Sequence, residues 1–235
     1  NTKSNIKKQN QGDEPLEIPA MEVIGASPDK LKSIAGSAFV LDQKNLFKSH
    51  VYEVGEALRK VPGVNVRDEE GFGMRPNIGI RGQNPSRSTK TLLLEDGIPL
   101  SYAPYGDNAS YYHPPIERFS NIEVLKGPNQ IQFGPQTISG TVNYITPNPP
   151  EKPGGALSFM GGNRDYFNVN ANYGGRIGDF AGLAHITHKE SQGARDNTHS
   201  EINDFNVKGV WDINATNALT FRANYFQEDS QVSYS

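Results

Sequence analysis

The sequence contains no cysteine, which excludes a disulfide scaffold, thiolate metal sites, iron–sulfur clusters and cysteine nucleophiles. It also has no long hydrophobic run. The longest nearly unbroken apolar stretch, IAGSAFVL at residues 34–41, is far shorter than the roughly 18–20 residues of a membrane-spanning helix. Transmembrane helices are therefore excluded. A basic charge excess is absent too, because 23 Lys and Arg stand against 26 Asp and Glu, and this disfavours a nucleic-acid-binding protein.

Catalytic and metal-binding motifs are also missing. The segment GFGMRP at 71–76 starts like a dinucleotide-binding loop but has Pro76 where the third glycine belongs. The five histidines are scattered, and His185 and His188, three residues apart in a predicted strand, should point to opposite faces. The sequence therefore predicts no enzyme activity, no catalytic residue and no metal site.

The hydrophobic share is only 35%, and the 235 residues include 24 glycines and 16 prolines, so the chain should be loop-rich and polar. Residues 1–18 are dominated by Asn, Lys and Gln and are predicted to form a disordered tail, because they bury too little to offset ordering entropy. The tail lacks the apolar core of a signal peptide. We therefore expect any export signal to have been removed or to lie outside this sequence.

Residues 19–148 alternate short apolar runs with turn residues, a pattern typical of a small α+β domain. One helix is predicted from Ser49, as N-cap, to the Pro62–Gly63 stop. Its apolar face consists of Val51, Val54, Leu58 and Val61. Residues 149–155, PPEKPGG, are then predicted to be a linker.

From residue 156 to 235 apolar and polar residues alternate, which predicts five antiparallel strands. The predicted strands span 156–161, 166–173, 180–190, 202–212 and 217–228. Alternation alone is equally typical of a soluble β-sandwich or a lipocalin-type barrel. The polar inward face and the alternation of short and long connections favour an outer-membrane barrel, which needs at least about eight strands. We therefore expect this chain to be the front part of a longer protein.

Four ordered motifs carry a resemblance to a known family. They are IGIRG at 78–82, LLLEDGIP at 92–99, IERFSNIEVLKGP at 116–128 and FGPQTISGTVNYIT at 133–146. In order and spacing these motifs resemble the plug domain of TonB-dependent outer-membrane receptors, and EALRKVPGV at 56–64 fits the same pattern. The resemblance implies an α+β plug domain followed by the first strands of a transmembrane β-barrel of about 22 strands.

The resemblance also implies a function, which is active uptake of a ferric chelate (a siderophore) across the outer membrane of a Gram-negative bacterium. Iron would be present only within the bound chelate, with no resident cofactor. The implied partners are TonB with its inner-membrane energising complex, the chelate and outer-membrane lipid, and no nucleic acid. Within the family, RGQNP at 81–85 and APYG at 103–106 are most similar to the ferric dicitrate receptors. Their N-terminal signalling domain has no room in a tail of some 18 residues, so we do not expect transcriptional signalling.

Two alternatives stay open at this point, a soluble secreted β-rich binding or adhesion protein and a TonB-dependent receptor for a ligand without iron. The resemblance further implies a TonB-binding segment, the TonB box, which would add a strand to TonB. It comprises Ala20, Met21, Glu22, Val23, Ile24 and Gly25. The same segment would alternatively be the first strand of the plug. Arg81 and Lys126 are implied to lock the plug to acidic barrel residues beyond residue 235.

Ligand contacts are implied in two plug loops, at 70–77 and 101–112. The candidate residues are Phe72, Arg75, Tyr102, Tyr105, Asp107 and Asn108. Arg75 would meet an anionic chelate, and the tyrosines offer flat faces with hydroxyl donors. Asp107 is unsuited to an anionic citrate complex, so another ferric chelate or organic ligand stays open.

Overall fold

A computed structural model of the chain describes residues 37–42, 46, 51, 53–68, 75–100, 112–127, 137–193 and 197–231. The predicted tail at 1–18 lies outside these residues. No helix within the described ranges is long and apolar enough to cross a membrane.

The N-terminal domain is built on a five-stranded sheet with the order β1-β6-β7-β4-β5. Its strands are β1 (Ser37–Asp42), β4 (Thr91–Glu95), β5 (Ile98–Pro99), β6 (Asn121–Lys126) and β7 (Gly140–Ile145). All neighbours are antiparallel except β4 and β7, which are parallel. The described part of the domain also contains the helix α1 (Val54–Arg59) and a hairpin of β2 (Val64–Asp68) and β3 (Pro76–Ile80). The predicted α+β architecture is therefore confirmed.

The predicted start of the helix is wrong, whereas its end is right. α1 begins at Val54 with Glu53 as N-cap, and Val51 precedes it and packs against the core. The helix ends before Pro62–Gly63, where Gly63 has a φ of +74° that glycine adopts without strain. Apolar spacing identified the buried face but not the residue at which helical geometry starts.

The core of the N-terminal domain brings α1, the hairpin and the sheet together. Its fully buried apolar residues include Leu58, Ile78, Ile80, Ile122, Val124 and Val142. Gly79 is required within the IGIRG motif, because a Cβ there would lie 2.3 Å from the Gln83 carbonyl oxygen. Strand β4 is buried at all five positions, so both faces of this sheet are covered.

A second sheet, called the wall sheet here, contains five consecutive antiparallel strands. They are β8 (Gly154–Gly161), β9 (Phe167–Ile177), β10 (Phe180–Ser191), β11 (Ser200–Asn214) and β12 (Asn217–Ser230). All five predicted strands are present, although several ends differ by a few residues. Because β8 starts at Gly154, the last two residues of the predicted linker belong to a strand.

The two faces of the wall sheet differ sharply in polarity. Its inward face, toward the N-terminal domain, buries Asn168, Thr187, Lys189, Asp204, Asn206 and Lys208. Its outward face exposes Tyr173, Ile177, Ile186, Phe205, Trp211 and Tyr225. His185 is buried on the inward face and His188 lies on the opposite face, as predicted. An exposed apolar face of this kind calls for an apolar environment, whereas the polar face needs polar partners.

Candidate functional site

The β4–β5 turn places two carboxylates against the wall sheet. Asp96 and Gly97 both have positive φ, +49° and +79°, as a tight hairpin turn with an Asp-Gly sequence requires. The Asp96 carboxylate accepts hydrogen bonds from the Thr146 amide at 2.9 Å and from its hydroxyl at 2.6 Å. These bonds fix Asp96, and Glu95 next to it is 1% exposed.

A 3-10 turn at Ile116–Arg118 supplies the opposite charge. The Arg118 amide donates to the carbonyl of Pro115 at 3.1 Å, which closes the turn. Phe119, the next residue, stacks on Tyr144 in the core with ring centroids 4.7 Å apart. Because Phe119 is anchored in the core, the turn directs Arg118 toward the wall sheet.

Arg118 is a fully buried arginine held by two carboxylates, and its side chain is 1% exposed. Its Nη1 donates to Glu95 Oε1 at 3.1 Å, and its Nε donates to Asp204 Oδ2 at 3.1 Å. Its Nη2 also pairs with Asp204 Oδ1, so the contact to β11 uses both oxygens. Burial acts to lower the pKa of Arg118, but the Asp204 hydrogen bonds and the Glu95 charge raise it above its ordinary value.

Two wall cations pair with the same turn. Arg222 of β12 lies 2.8 Å from Asp96 Oδ2 and 3.2 Å from Glu95 Oε1. Lys208 of β11 lies 3.7 Å from Asp96 Oδ2 and donates to Thr146 Oγ1 at 3.1 Å. Each carboxylate of the turn therefore has a cation from the wall sheet as well as contacts in its own domain.

A third contact lies beside Arg118. Glu117 Oε1 accepts hydrogen bonds from Lys189 Nζ at 3.2 Å and from Asn168 Nδ2 at 2.5 Å. The eight charged residues of this interface form what we call the charge network: Glu95, Asp96, Glu117, Arg118, Lys189, Asp204, Lys208 and Arg222. The N-terminal domain contributes three carboxylates and one cation, and the wall sheet contributes three cations and one carboxylate. The two surfaces are therefore complementary in charge.

Two further residues join the N-terminal domain to β12. Arg75, which directly precedes β3, donates to Glu228 Oε1 at 3.2 and 3.1 Å and to Ser230 Oγ at 3.0 Å. Tyr112 packs edge-on against Phe226, with ring centroids 5.0 Å apart, and accepts a hydrogen bond from Arg118 Nη1 at 2.8 Å. Burial raises the pKa of the Tyr112 hydroxyl, which keeps it protonated. Arg75 and Tyr112 thus attach the bases of both implied ligand loops to the same strand.

The predicted lock residues Arg81 and Lys126 lie together, as the resemblance implied. Arg81 Nη2 donates to the Lys126 carbonyl oxygen at 3.3 Å, and Lys126 Nζ donates to the Pro62 carbonyl. Burial and the neighbouring Arg81 charge lower the pKa of Lys126. Their acidic partners were expected beyond residue 235, so the lock stays a prediction.

Most of the other candidate residues lie outside the described part of the chain. These are Ala20 to Gly25 of the implied TonB box and, among the ligand candidates, Phe72, Tyr102, Tyr105, Asp107 and Asn108. Arg75 is described and pairs with Glu228, and its role as a ligand contact stays a prediction.

The charge network itself was not predicted. Asp204 and Lys208 lie in the predicted strand 202–212, and Glu95 and Arg118 lie in the motifs LLLEDGIP and IERFSNIEVLKGP, but the sequence predicts no pairing between them. A usable signal was present, because charges at inward strand positions require partners of opposite charge once they are buried. Those partners had to come from the motifs that face the wall sheet.

His113 forms a second buried polar site, inside the N-terminal domain. Its Nδ1 lies 3.1 Å from the Pro114 carbonyl and must donate there, so Nε2 accepts from the Tyr144 hydroxyl at 2.8 Å. Burial favours the neutral imidazole, which this pairing accommodates. Burial lowers the pKa of His113 to about 4, and burial raises the pKa of Tyr144.

We expect His113 to reduce the stability of the N-terminal domain as the pH falls from about 6.5 to about 4. In this range the unfolded His113 binds a proton at its ordinary pKa near 6.5, whereas the folded residue does not until about pH 4. The loss should reach about 2–3 kcal/mol at pH 4.5, measured by hydrogen exchange of β7 amides in the full-length protein. His113→Gln should remove this component and His188→Gln should not. An unchanged pH dependence in His113→Gln would contradict the assignment.

Comparison with known proteins places this geometry in a family. The model of the TonB-dependent Receptor Plug Domain family matches residues 30–141. This segment contains β1 to β6, α1 and all the plug-side members of the charge network. The match is to a receptor domain and not to an enzyme family, in agreement with the sequence prediction.

Solved structures share the fold well beyond that segment. The unliganded ferric citrate transporter FecA matches with a TM-score of 0.76 and 23% identity, over 88% of this chain and 33% of its own. The ferripyoverdine receptor of Pseudomonas aeruginosa matches with a TM-score of 0.74 and 20% identity, over 90% and 27%. The ferric yersiniabactin uptake receptor FyuA of Yersinia pestis matches with a TM-score of 0.66 and 20% identity, over 83% and 32%.

This chain therefore spans about a third or less of the length of those structures, and its coverage includes both the N-terminal domain and wall strands. Residues 30–141 of the chain match the plug domain of TonB-dependent receptors, and the fold is shared with solved receptor structures.

Proposed function

We propose that this chain is the plug and the first barrel strands of an outer-membrane receptor that takes up a ferric chelate with energy supplied through TonB. The observation that carries the proposal is the charge network. It seats the plug on the polar face of a sheet whose other face is apolar and exposed. This is the arrangement of a domain inside a barrel whose outer surface meets lipid.

The charge network between the plug and the wall sheet suits a domain that must stay in place and still move. If the contact were apolar, the buried apolar surface would be exposed to water when the plug moves. This exposure costs free energy in proportion to the apolar area. Charged groups can exchange their protein partners for water and for each other. The pairs Lys208–Asp96 and Lys189–Glu117 are slightly more exposed than Arg118, whose side chain is 1% exposed.

The ligand class is supported by the neighbours and by the plug loops. FecA, the ferripyoverdine receptor and FyuA are all named for the iron chelates that they bind or take up. In this chain Arg75 offers a cation, and Tyr102 and Tyr105 offer aromatic faces. Asp107 and Phe72 stand where the ferric dicitrate receptors are implied to have polar contacts, so an anionic chelate is proposed to bind in another way, through Arg75.

Uptake by cells tests the proposal. The full-length receptor is expressed in a Gram-negative host that lacks its own iron receptors, with and without TonB, and labelled ferric citrate and ferripyoverdine are supplied. We expect uptake of a ferric chelate in the TonB-positive cells only. For an anionic chelate, Arg75→Ala should weaken binding about tenfold and Asp107→Asn should preserve or strengthen it, because the like charge is removed.

The alternatives predict different results. A soluble secreted binding or adhesion protein would be found outside the membrane fraction and would show no change in gel mobility on heating. A TonB-dependent receptor for a ligand without iron would be heat-modifiable and membrane-bound, yet would take up no ferric chelate. The apolar outward face favours the membrane location, with outer-membrane lipid as its partner.

A further inference from the structure

Two arginines of the plug pair with acidic residues of the wall sheet within the described residues, and they are held very differently. Arg118 is 1% exposed and is bound by two carboxylates. Arg75 is 24% exposed, and among the described residues of the wall sheet it pairs with Glu228. A dissolved anion can therefore reach Arg75 but not Arg118.

The Arg75 pair also has suboptimal geometry. Nε and Nη2 of Arg75 both donate to the same oxygen, Glu228 Oε1, at 3.2 and 3.1 Å. Ser230 Oγ donates to that oxygen as well, at 2.9 Å. The strongest arginine–carboxylate pairs use two nitrogens on two oxygens, so another carboxylate that meets Arg75 in the fork geometry would bind it better.

The pair lies at the end of the wall sheet that carries the long β10–β11 connection. Ser230 is opposite Ser200 in the strand register, and the Gln231 amide donates to the His199 carbonyl at 2.8 Å. In outer-membrane barrels the long connections are extracellular. Arg75 is therefore placed where a ligand enters, on the same strand that Tyr112 contacts.

We infer that Glu228 is a stand-in for the ligand. This inference rests on the proposed function. Glu228 holds Arg75 in the empty receptor, and an anionic group of the chelate displaces it. Arg75 keeps a counterion throughout, so the exchange is easy for the arginine. Glu228, whose side chain is 7% exposed, loses its cation. The free energy needed to leave this buried carboxylate unpaired reduces the affinity for the ligand.

Two consequences follow from this exchange. A neutral ligand cannot displace Glu228, so the receptor selects anionic chelates. Ligand binding also breaks the hydrogen bonds between Arg75 and β12. The contact between the plug and the wall sheet is therefore weaker when the site is occupied. Arg75 is thus both a ligand contact and the residue whose contact with β12 changes when the ligand binds.

Arginine-selective labelling of the full-length receptor with phenylglyoxal tests whether Glu228 holds Arg75 in the empty receptor, since this experiment needs no ligand. Arg75 should be modified about 3- to 10-fold faster in Glu228→Gln than in the wild type, and Arg118 should stay unreactive in both. Asp229→Asn is the matched control, because it removes the same charge from the adjacent, outward-facing position. Equal Arg75 rates in the wild type and Glu228→Gln would overturn the inference.

Ferric citrate, used as an anionic probe, tests whether an anion displaces Glu228 from Arg75. It should slow Arg75 labelling, and its affinity should be about 3- to 10-fold higher for Glu228→Gln than for the wild type and Asp229→Asn. Absence of protection in the wild type and Glu228→Gln alike, or weaker binding by Glu228→Gln, would overturn the exchange. Failure of the proposed function is distinguishable, because it appears as absence of TonB-dependent uptake of any ferric chelate, whatever the labelling rates.

Discussion

Arg118→Ala is expected to reduce the free energy that seats the plug on the wall sheet by about 3–5 kcal/mol. The substitution leaves Asp204 buried without a cation and removes one of the two cations at Glu95. It also removes the donor to the Tyr112 hydroxyl. The measurements are leak of small solutes through the full-length receptor and hydrogen exchange of β4 and β11 amides, both of which should increase.

Arg87→Ala is the matched control, because Arg87 is an exposed arginine of the same domain and its loss should change little. The double variant Arg118→Ala/Asp204→Ala should be less damaging than the sum of the single variants, since each single change leaves a buried charge without its partner. Strict additivity, or equal effects of Arg118→Ala and Arg87→Ala, would show that the charge network does not seat the plug.

Val23→Pro is expected to abolish chelate uptake while leaving chelate binding unchanged. If Ala20 to Gly25 adds a strand to TonB, the backbone N–H of the central residue takes part in the pairing, and proline removes this donor and fixes φ. The proposed ligand contacts lie far along the chain, at Arg75 and in the loop at 101–112. The measurements are uptake of a labelled chelate and equilibrium binding to the same cells poisoned for energy.

Val23→Thr is the control for this experiment, since it keeps the backbone donor and the β-branched shape and should preserve uptake. Uptake that survives Val23→Pro would contradict the strand-addition role. Loss of binding together with uptake would instead indicate that this segment is the first strand of the plug.

Much of the fold could be predicted because it depends on local patterns. The Pro62–Gly63 pair predicts the end of α1, since proline disrupts a helix and glycine tolerates a positive φ. The alternation through Phe167 and Asn168 predicts which side of β9 is polar, since strand side chains alternate between faces. The helix start at Val54 was missed because apolar spacing reports burial, while the first helical residue depends on local backbone geometry.

The sequence by itself determined most of the elements, their faces and, through its ordered motifs, the resemblance to the plug domain. Only the tertiary structure decided which charges meet. Arg118 and Asp204 are 86 residues apart, and Arg75 and Glu228 are 153 apart. Periodicity shows that such a charge faces inward, but its partner is chosen by how two separately formed sheets are placed against each other. The same placement turned Arg75 from an apparently available ligand contact into a residue already held by Glu228.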